Sequence, residues 1–254
     1  MTALLLSMLE GGGEIFDMFI AGLRFGPVLF LLPGVPEFRI PAWVKIGVLI
    51  SVSAILYPSV GTVVLGSDTL WSIVLIETFI GICLGMGVRL FLMALQIAGS
   101  IAAQSTSLFQ VGGASMPEPM PALGMVWVVA ALAFAASYGF HIKAIEYMMA
   151  SYSVMPVGHL PGRSDLVAWF IGGVSTCFSL GFVLSAPFLI LAAIYNLTLG
   201  VINRAMPQLM VAFVGAPVIV FGAQALLLVS SSSVLKTWWV YMEQSLYAPF
   251  GLAP

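Results

Sequence analysis

Residues 77–104, ETFIGICLGMGVRLFLMALQIAGSIAAQ, carry the pattern that decides the fold of this chain. The stretch is apolar except for a few polar and charged residues, which recur at steps of four. Positions four apart lie on one face of an α-helix. The apolar run at 69–95 is also long enough to cross the about 30 Å hydrocarbon core of a bilayer. We therefore expect a membrane helix with one charged face, followed by a short helix with an uncharged polar face.

The charged face consists of Glu77, Gly81, Gly85 and Arg89. A charge at the bilayer centre costs at least about 2.5–3.5 kcal/mol, so both charges need a partner or an interface. They cannot pair with each other, because twelve residues of helix span about 18 Å. The two glycines allow another helix to approach closely. Two interpretations stay open: Glu77 bonds a neighbouring helix while Arg89 reaches a headgroup, or this face packs against a partner subunit.

The uncharged polar face consists of Gln96, Ser100, Gln104 and Ser107. Amides and hydroxyls at helical spacing are typical of hydrogen bonds between membrane helices. They also suit the wall of a watery conduit. Their position directly before a loop rich in Gly and Pro favours the conduit, but both interpretations remain open.

The composition indicates a protein that is integral to a membrane or to a membrane-embedded complex. Of the 254 residues, 61% are hydrophobic and 7% are charged, and the mean hydropathy is +1.13. A soluble domain carries about 25% charged residues, so this chain cannot cover a soluble surface. The first ten residues contain no Lys or Arg, so we expect insertion through internal segments rather than a cleaved signal peptide. The net charge of −2 and the absence of a basic cluster argue against a nucleic-acid partner.

Six hydrophobic regions follow one another along the chain, and we treat it as a single domain, 1–254. Prolines and glycines within them predict kinks or breaks, so the expected fold is an all-α membrane protein of bent helical hairpins. The regions are 15–33, 42–66, 69–95, 123–152, 167–201 and 209–235, and the residues expected to kink or break them are Pro27, Pro58, Gly61, Pro187, Gly200 and Pro217.

A third polar set occurs in NLTLGVINRAMPQ, where Pro207 is expected to end or kink the helix. Its members are candidates for an interhelical or intersubunit contact: Asn196, Gly200, Asn203, Arg204 and Gln208. In HIKAIEY, Lys143 and Glu146 are three residues apart and are predicted to neutralise each other.

No set of residues indicates catalysis. Cys83 has no assignable His partner, and the serines at 230–233 have no base nearby in sequence. Two Cys and two His are scattered too widely for a metal site. We expect no enzyme, and we assign no catalytic, cofactor-binding or metal-binding residue.

Four stretches in register resemble the FliR family of type III secretion export-gate proteins. The strongest is NLTLGVINRAMPQLMVAFVGAPVIV (196–220), which is similar to the family signature of a small-residue helix ending in N-R-x-x-P-Q. The others are VPEFRIPAWVKIGVLISVSAILYP (35–58), residues 77–104, and YGFHIKAIEYMMASYSVMPVG (138–158). Together they cover most of the chain, and the NLTLG lead into the signature favours flagellar membership.

The resemblance implies a non-enzymatic subunit of the flagellar type III protein export gate, in the bacterial inner membrane at the flagellar basal body. In this family, bent hairpins stack in a spiral with partner subunits of the FliP and FliQ type around a narrow pore. Unfolded flagellar proteins cross the membrane through that pore, and other export-apparatus proteins are further partners.

The family also contributes a loop that helps to close the pore, and that loop corresponds to FQVGGASMPEPMP, within about 109–122. By composition alone, the stretch fits either a plug or a tight hairpin connection, and the resemblance favours the plug. The plug candidates are Phe109, Val111, Gly112, Gly113, Met116, Pro117, Glu118, Pro119 and Met120.

The alternative function is a stand-alone secondary transporter. It is motivated by the charged residues Glu77, Arg89 and Arg204, and by proline-broken helices elsewhere in the chain, which resemble those at transporter midplane sites. That class often has paired broken helices at corresponding positions of two halves, which this sequence does not show.

Overall fold

The computed structural model describes residues 2–34, 40–60, 70–106, 122–160, 162–206, 211–247 and 249. Of these residues, 92% are helical and none is in a strand, which confirms the all-α fold. The helices are α1 (Thr2–Leu31), α2 (Ala42–Leu56), α3 (Leu70–Thr106), α4 (Ala122–Ser137), α5 (Phe140–Val154), α6 (Arg163–Ala205) and α7 (Val211–Tyr247).

Several helices are longer than a straight membrane crossing requires. At 1.5 Å per residue, the 37 residues of α3 and of α7 and the 43 residues of α6 extend about 55–65 Å, against a hydrocarbon core of about 30 Å. In the described part of the chain, four helical segments are long and apolar enough to cross a membrane: one at α2 and those of α3, α6 and α7. The pair α4–α5 makes a fifth if the two helices together form one span.

Helix α3 is continuous where we expected two helices. It runs from Leu70 to Thr106 and carries the charged face together with Gln96, Ser100 and Gln104 of the uncharged polar face. The polar residues after position 95 lowered the local hydropathy, but they do not interrupt the backbone hydrogen bonds of a helix.

The hydrophobic region at 123–152 consists of two helices, and the break between them was not among the kinks and breaks that the sequence predicted. Helix α4 ends at Ser137 and α5 begins at Phe140. Between them Gly139 has φ = 74°, a left-handed conformation that costs glycine little and other residues more. Its carbonyl accepts hydrogen bonds from the amides of Ile142 and Lys143, which starts α5.

The prolines have different effects. The chain stays helical through Pro27, Pro187 and Pro217, so none of these breaks its helix. At Pro58, α2 has already given way to a 3-10 turn, Tyr57–Ser59, as the sequence predicted for this position. The break at Gly139 was the one that hydropathy did not reveal.

Helix α7 extends beyond the predicted end at residue 235. It continues to Tyr247 because its last turns are amphipathic. Trp238 and Met242 are almost fully buried, although Lys236 and Glu243 lower the hydropathy of the segment. Amphipathic packing thus sustains a helix that a search for uniformly apolar windows ends too early.

The chain forms two compact units. Unit 1 comprises Met1–Leu90, Ala135–Gly173 and Met242–Pro254, and unit 2 comprises Phe91–Phe134 and Val174–Tyr241. Our expectation of one domain stays a prediction, as does the spiral stacking with partner subunits.

Helices α1 and α2 pack antiparallel in unit 1. A Cβ atom at Gly22 would lie 3.2 Å from the hydroxyl of Ser53, and one at Gly26 would lie 3.9 Å from a methyl group of Leu49. The ammonium of Lys45 in α2 lies 5.1 Å from the ring centroid of Phe30 in α1, so this pair follows the same antiparallel order as the two glycine contacts.

Aromatic packing and one close helix crossing hold unit 2 together. The rings of Trp127 and Phe188 meet edge to face with centroids 5.4 Å apart. The indole N–H of Trp238 donates a 2.7 Å hydrogen bond to the carbonyl of Phe91. Gly99 of α3 lies directly against Gly124 of α4, so close that a Cβ at Gly99 would overlap the Gly124 backbone.

Candidate functional site

A buried ion pair joins α1 to α3 in unit 1. The side chains of Arg24 and Glu77 have no solvent-exposed surface. Arg24 Nε donates to Glu77 Oε2 at 2.6 Å, and Nη2 donates to Oε1 at 3.1 Å. Two parallel hydrogen bonds of this kind fix both the distance and the orientation of a guanidinium and a carboxylate.

The rest of the guanidinium binds the end of α5. Nη1 donates to the carbonyl oxygens of Ser151, at 3.2 Å, and of Met155, at 3.1 Å, and also contacts the Ser151 hydroxyl at 3.3 Å. Nη2 reaches the same Met155 carbonyl at 3.1 Å. Because α5 ends at Val154, these are carbonyls of its last turn and of the residue that follows, and Arg24 therefore caps α5.

The ring of Tyr152 covers the guanidinium from one side. The Arg24 Cζ atom lies 4.0 Å from the ring centroid, which is a cation–π geometry. Tyr152 is 5% exposed, so the ring also separates the charge from solvent. This contact strengthens the attachment of α5 to α1.

The carboxylate of Glu77 holds the turn that follows α5. The amide of Gly158 donates to Glu77 Oε1 at 3.0 Å, and Gly158 has φ = 77°. One ion pair thus connects three helices and the turn at 155–158. We call Arg24, Glu77, Ser151, Tyr152 and the backbone of 155–158 the buried polar cluster.

Sequence reasoning identified Glu77 but missed Arg24. Arg24 lies inside the apolar run MFIAGLRFGPVLFLLP, in the predicted region 15–33, and is the first Lys or Arg of the chain. A charge in the middle of a predicted span needs an opposite charge from another span. Glu77 and Arg24 are opposite charges in two different predicted spans, so this rule could have predicted that they pair. Ser151 and Tyr152 carried no such signal.

The charged face of α3 is occupied within the chain over Glu77, Gly81 and Gly85. A Cβ at Gly81 would overlap the Arg24 carbonyl, and one at Gly85 would lie 2.9 Å from Leu31. The close helix approach expected from these glycines is present, and the approaching helix is α1. Arg89 is half-buried further along α3. A role of these residues in packing a partner subunit stays a prediction.

One side chain of the uncharged polar face forms its hydrogen bond within α3 itself. The Ser100 hydroxyl donates to the Gln96 carbonyl one turn earlier, at 2.8 Å. Gln96 is half-buried and Gln104 is exposed, while Ser107 lies outside the described residues. Both interpretations of this face, interhelical hydrogen bonds and a conduit wall, stay predictions.

The third polar set lies on an exposed helix end. Helix α6 ends at Ala205, as the proline at 207 predicted. The four members that the structure describes are Asn196, Gly200, Asn203 and Arg204, and all four are exposed. Gln208 lies outside the described residues, and a role of the set in subunit packing stays a prediction.

Lys143 does not pair as we expected from its spacing with Glu146. Its ammonium binds the carboxylate of Glu243 in α7 at 2.5 Å and the hydroxyl of Tyr247 at 3.3 Å. The spacing rule considers only residues three or four positions apart on one helix, so it could not predict a partner 100 positions away. This contact attaches α5 to the end of α7 within unit 1.

All plug candidates fall in 107–121, outside the described residues. Their role therefore stays a prediction. The structure describes the helices on either side of this stretch, α3 and α4, which contact each other through Gly99 and Gly124.

Comparison with known proteins bears out the resemblance found in the sequence. The chain is 28% identical over 232 residues to the flagellar biosynthetic protein FliR of Caulobacter vibrioides, a match that covers 88% of this chain and 92% of that protein. It is 27% identical over 209 residues to FliR of Escherichia coli, covering 77% and 78% of the two chains. It is 29% identical over 168 residues to FliR of Bacillus subtilis, covering 62% and 63%.

The sequence model of the family described as bacterial export proteins, family 1, matches residues 15–245. This range includes both partners of the buried ion pair, the three polar sets and nearly all of the seven helices. The chain therefore belongs to the bacterial export proteins, family 1.

Proposed function

We propose that this chain is a non-enzymatic subunit of the flagellar type III protein export gate, which forms a pore together with subunits of the FliP and FliQ type. Unfolded flagellar proteins cross the bacterial inner membrane through that pore. The observation that carries the proposal is the family match over 15–245, together with relatives named flagellar biosynthetic protein FliR that align along most of their length.

The surface of the helices supports a role inside an assembly. The exposed end of α6 carries large apolar side chains beside polar ones: Leu197 is 72% exposed and Val201 is 64% exposed. Apolar surface of this extent needs lipid or protein to cover it. The nearby amides and the Arg204 guanidinium add hydrogen-bonding groups that favour a protein partner over lipid on this face.

The buried polar cluster favours a subunit over the alternative, a stand-alone secondary transporter. A transporter uses an intramembrane carboxylate to bind substrate or a coupling ion. Here Glu77 already accepts two hydrogen bonds from Arg24 and one from Gly158. Substrate flux by the purified chain reconstituted alone into vesicles would instead support the transporter.

Deletion of the gene tests the proposed function. We expect the deletant to lose secretion of flagellar axial proteins and to be non-motile, and expression of the full chain in trans to restore both. The matched control is complementation with Gly47→Ala, since a Cβ at Gly47 meets nothing within 4 Å. A deletant that builds normal filaments would refute the proposal.

We also propose that 109–121 form the plug of this pore. The stretch combines three prolines, a Gly-Gly pair and two methionines, which limit regular helix and supply adaptable apolar volume. It follows directly on the uncharged polar face of α3, which supports a conduit at that point.

A further inference from the structure

A groove opens between α1 and α2 in unit 1. Its volume is about 360 Å³, and it is lined by residues within 15–23 of α1 and 49–53 of α2. Small-molecule sites have volumes of about 300–1,000 Å³, so the groove is large enough for a ligand. Ile15, Phe19 and Ile50 are 73%, 56% and 53% exposed, which places the groove at the surface of this helix pair.

The lining determines what the groove can hold. All of its side chains are apolar except that of Ser53, which is 2% exposed and whose hydroxyl has no hydrogen-bond partner among the described residues. A polar ligand needs several placed donors and acceptors, and a single buried hydroxyl does not provide them. The groove therefore suits a hydrocarbon chain.

A positive charge lies at one end of the same helix face. Lys45 precedes Leu49 by four residues and Ser53 by eight, so the three share one face of α2. Eight residues of helix span about 12 Å, which places the ammonium beyond one end of the groove. Lys45 lies over the Phe30 ring, and hence over the line where α1 and α2 meet.

The start of α2 has the features of a membrane–water interface. Pro41 is the residue that caps the helix, Trp43 follows two residues later and is 75% exposed, and Lys45 follows two residues after that. Exposed Trp and Lys at a helix end are typical of headgroup depth. A cation at headgroup depth with an apolar groove further along the same face is complementary to a phosphate joined to an acyl chain.

A helix from a protein partner fits this groove poorly. A helix with its side chains is about 10–12 Å wide, so a volume near 360 Å³ would hold only about one turn of it. The same volume drawn out to the thickness of one hydrocarbon chain extends over several helical turns. The size of the groove therefore favours a lipid chain.

We propose that the α1–α2 groove binds one acyl chain of an anionic phospholipid, whose phosphate pairs with Lys45. The site lies beyond the proposed export function and rests on lipid, rather than a partner subunit, facing the groove between α1 and α2. It fixes a lipid on the face of unit 1 where α1 and α2 leave a gap.

Photolabelling with a defined lipid tests the proposal. The full chain, purified from membranes with its partners, is reconstituted with phosphatidylglycerol that carries a diazirine on one acyl chain, and adducts are mapped by mass spectrometry. We expect adducts in 15–23 and 49–53. Ser53→Leu, which fills the groove, should reduce them at least about tenfold, because the chain loses its apolar contacts. Lys45→Gln should reduce them about fivefold, the effect of one basic residue near an anionic headgroup.

Matched variants separate the site from general lipid contact. Ser51→Leu adds the same side chain to an exposed position of the same helix, and Lys236→Gln removes an exposed charge from α7, so both should label like the unmodified chain. Ile50→Trp covers the mouth of the groove without entering the interior, and it serves if Ser53→Leu does not accumulate.

Two results would overturn the binding of a lipid chain in the groove, and a third would overturn its selectivity for an anionic headgroup. One is equal labelling of the unmodified chain, Ser53→Leu and Ile50→Trp, which indicates ordinary surrounding lipid. The other is capture of a partner protein, rather than phospholipid, by a photoreactive residue at position 50. Competition by unlabelled phosphatidylcholine as effective as that by phosphatidylglycerol would remove the role of Lys45.

Discussion

Arg24 and Glu77 place a full positive and a full negative charge in the interior of unit 1. Removing one partner leaves an uncompensated buried charge, which costs about 3–5 kcal/mol, whereas removing both costs much less than the two losses together. The contribution of each residue to the free energy of unfolding therefore depends on whether the other is present.

We therefore predict strong non-additivity between Arg24→Met and Glu77→Leu. Each single variant should lower the free energy of unfolding by about 3–5 kcal/mol. The loss in the double variant should be smaller than the sum of the two single losses by at least about 2 kcal/mol. Mutations at distant sites depart from additivity by only about 0.3–0.5 kcal/mol, so a difference of this size indicates direct contact. The double variant should not regain full stability, since the carbonyl of Met155 and the amide of Gly158 lose their partners. The measurement is denaturant unfolding of the purified protein in detergent.

Lys236→Met combined with Glu77→Leu is the control pair. Lys236 is exposed on α7, so its replacement should leave the surroundings of Glu77 unchanged and the two effects should add. Additive losses for Arg24 and Glu77 as well would mean that the ion pair is not coupled in solution.

At the scale of helices, α1 and α3 approach each other through glycine. The charged face of α3 was expected to allow close packing, and the backbone of α1 lies on Gly81 with no room for a side-chain atom. This contact brings Arg24 within reach of Glu77, because the same α1 residue supplies the carbonyl that covers Gly81.

Gly81→Ala should therefore separate α1 from α3. We predict a loss of about 1–3 kcal/mol in the free energy of unfolding, the range for overpacking a well-filled interior. The clash is with a backbone atom, which cannot move aside as a flexible side chain does. Thermal unfolding followed by circular dichroism measures the effect.

Gly47→Ala is the matched control, since it makes the same chemical change in α2, where a Cβ meets nothing within 4 Å. It should leave stability unchanged or raise it by up to about 1 kcal/mol, because Ala favours a helix over Gly. Equal effects of the two substitutions would contradict a close α1–α3 contact.

At the scale of the whole molecule, the proposed plug has a measurable consequence. Replacing Gly112 and Gly113 with alanine, or shortening 112–120, should increase the leak of small ions through the closed assembly, because the pore would lose part of its filling. Ion conductance across membranes that contain the assembled complex is the measurement, and Gly47→Ala is the control. Unchanged permeability in a fully assembled complex would contradict the plug.

The sequence by itself determined the class of fold, the family and most helix positions. Low charge and long apolar runs require burial in lipid or protein, and such runs become helices because a backbone without water must satisfy its hydrogen bonds internally. For this reason α1 ends at Leu31, α5 at Val154 and α6 at Ala205, each within four residues of the end of a predicted hydrophobic region, at 33, 152 and 201. These features depend on residues near one another in the chain.

Only the tertiary structure decided which residues the charged side chains pair with. Arg24 meets Glu77 across 53 positions and Lys143 meets Glu243 across 100, and the spacing rule for one helix had assigned Lys143 to Glu146 instead. The break at Gly139 likewise depends on a left-handed backbone that hydropathy does not register. Local spacing fixes which residues share a helix face, whereas the crossing of helices distant in sequence fixes what that face contacts, and for this chain the crossing of α1 with α3 created the buried polar cluster.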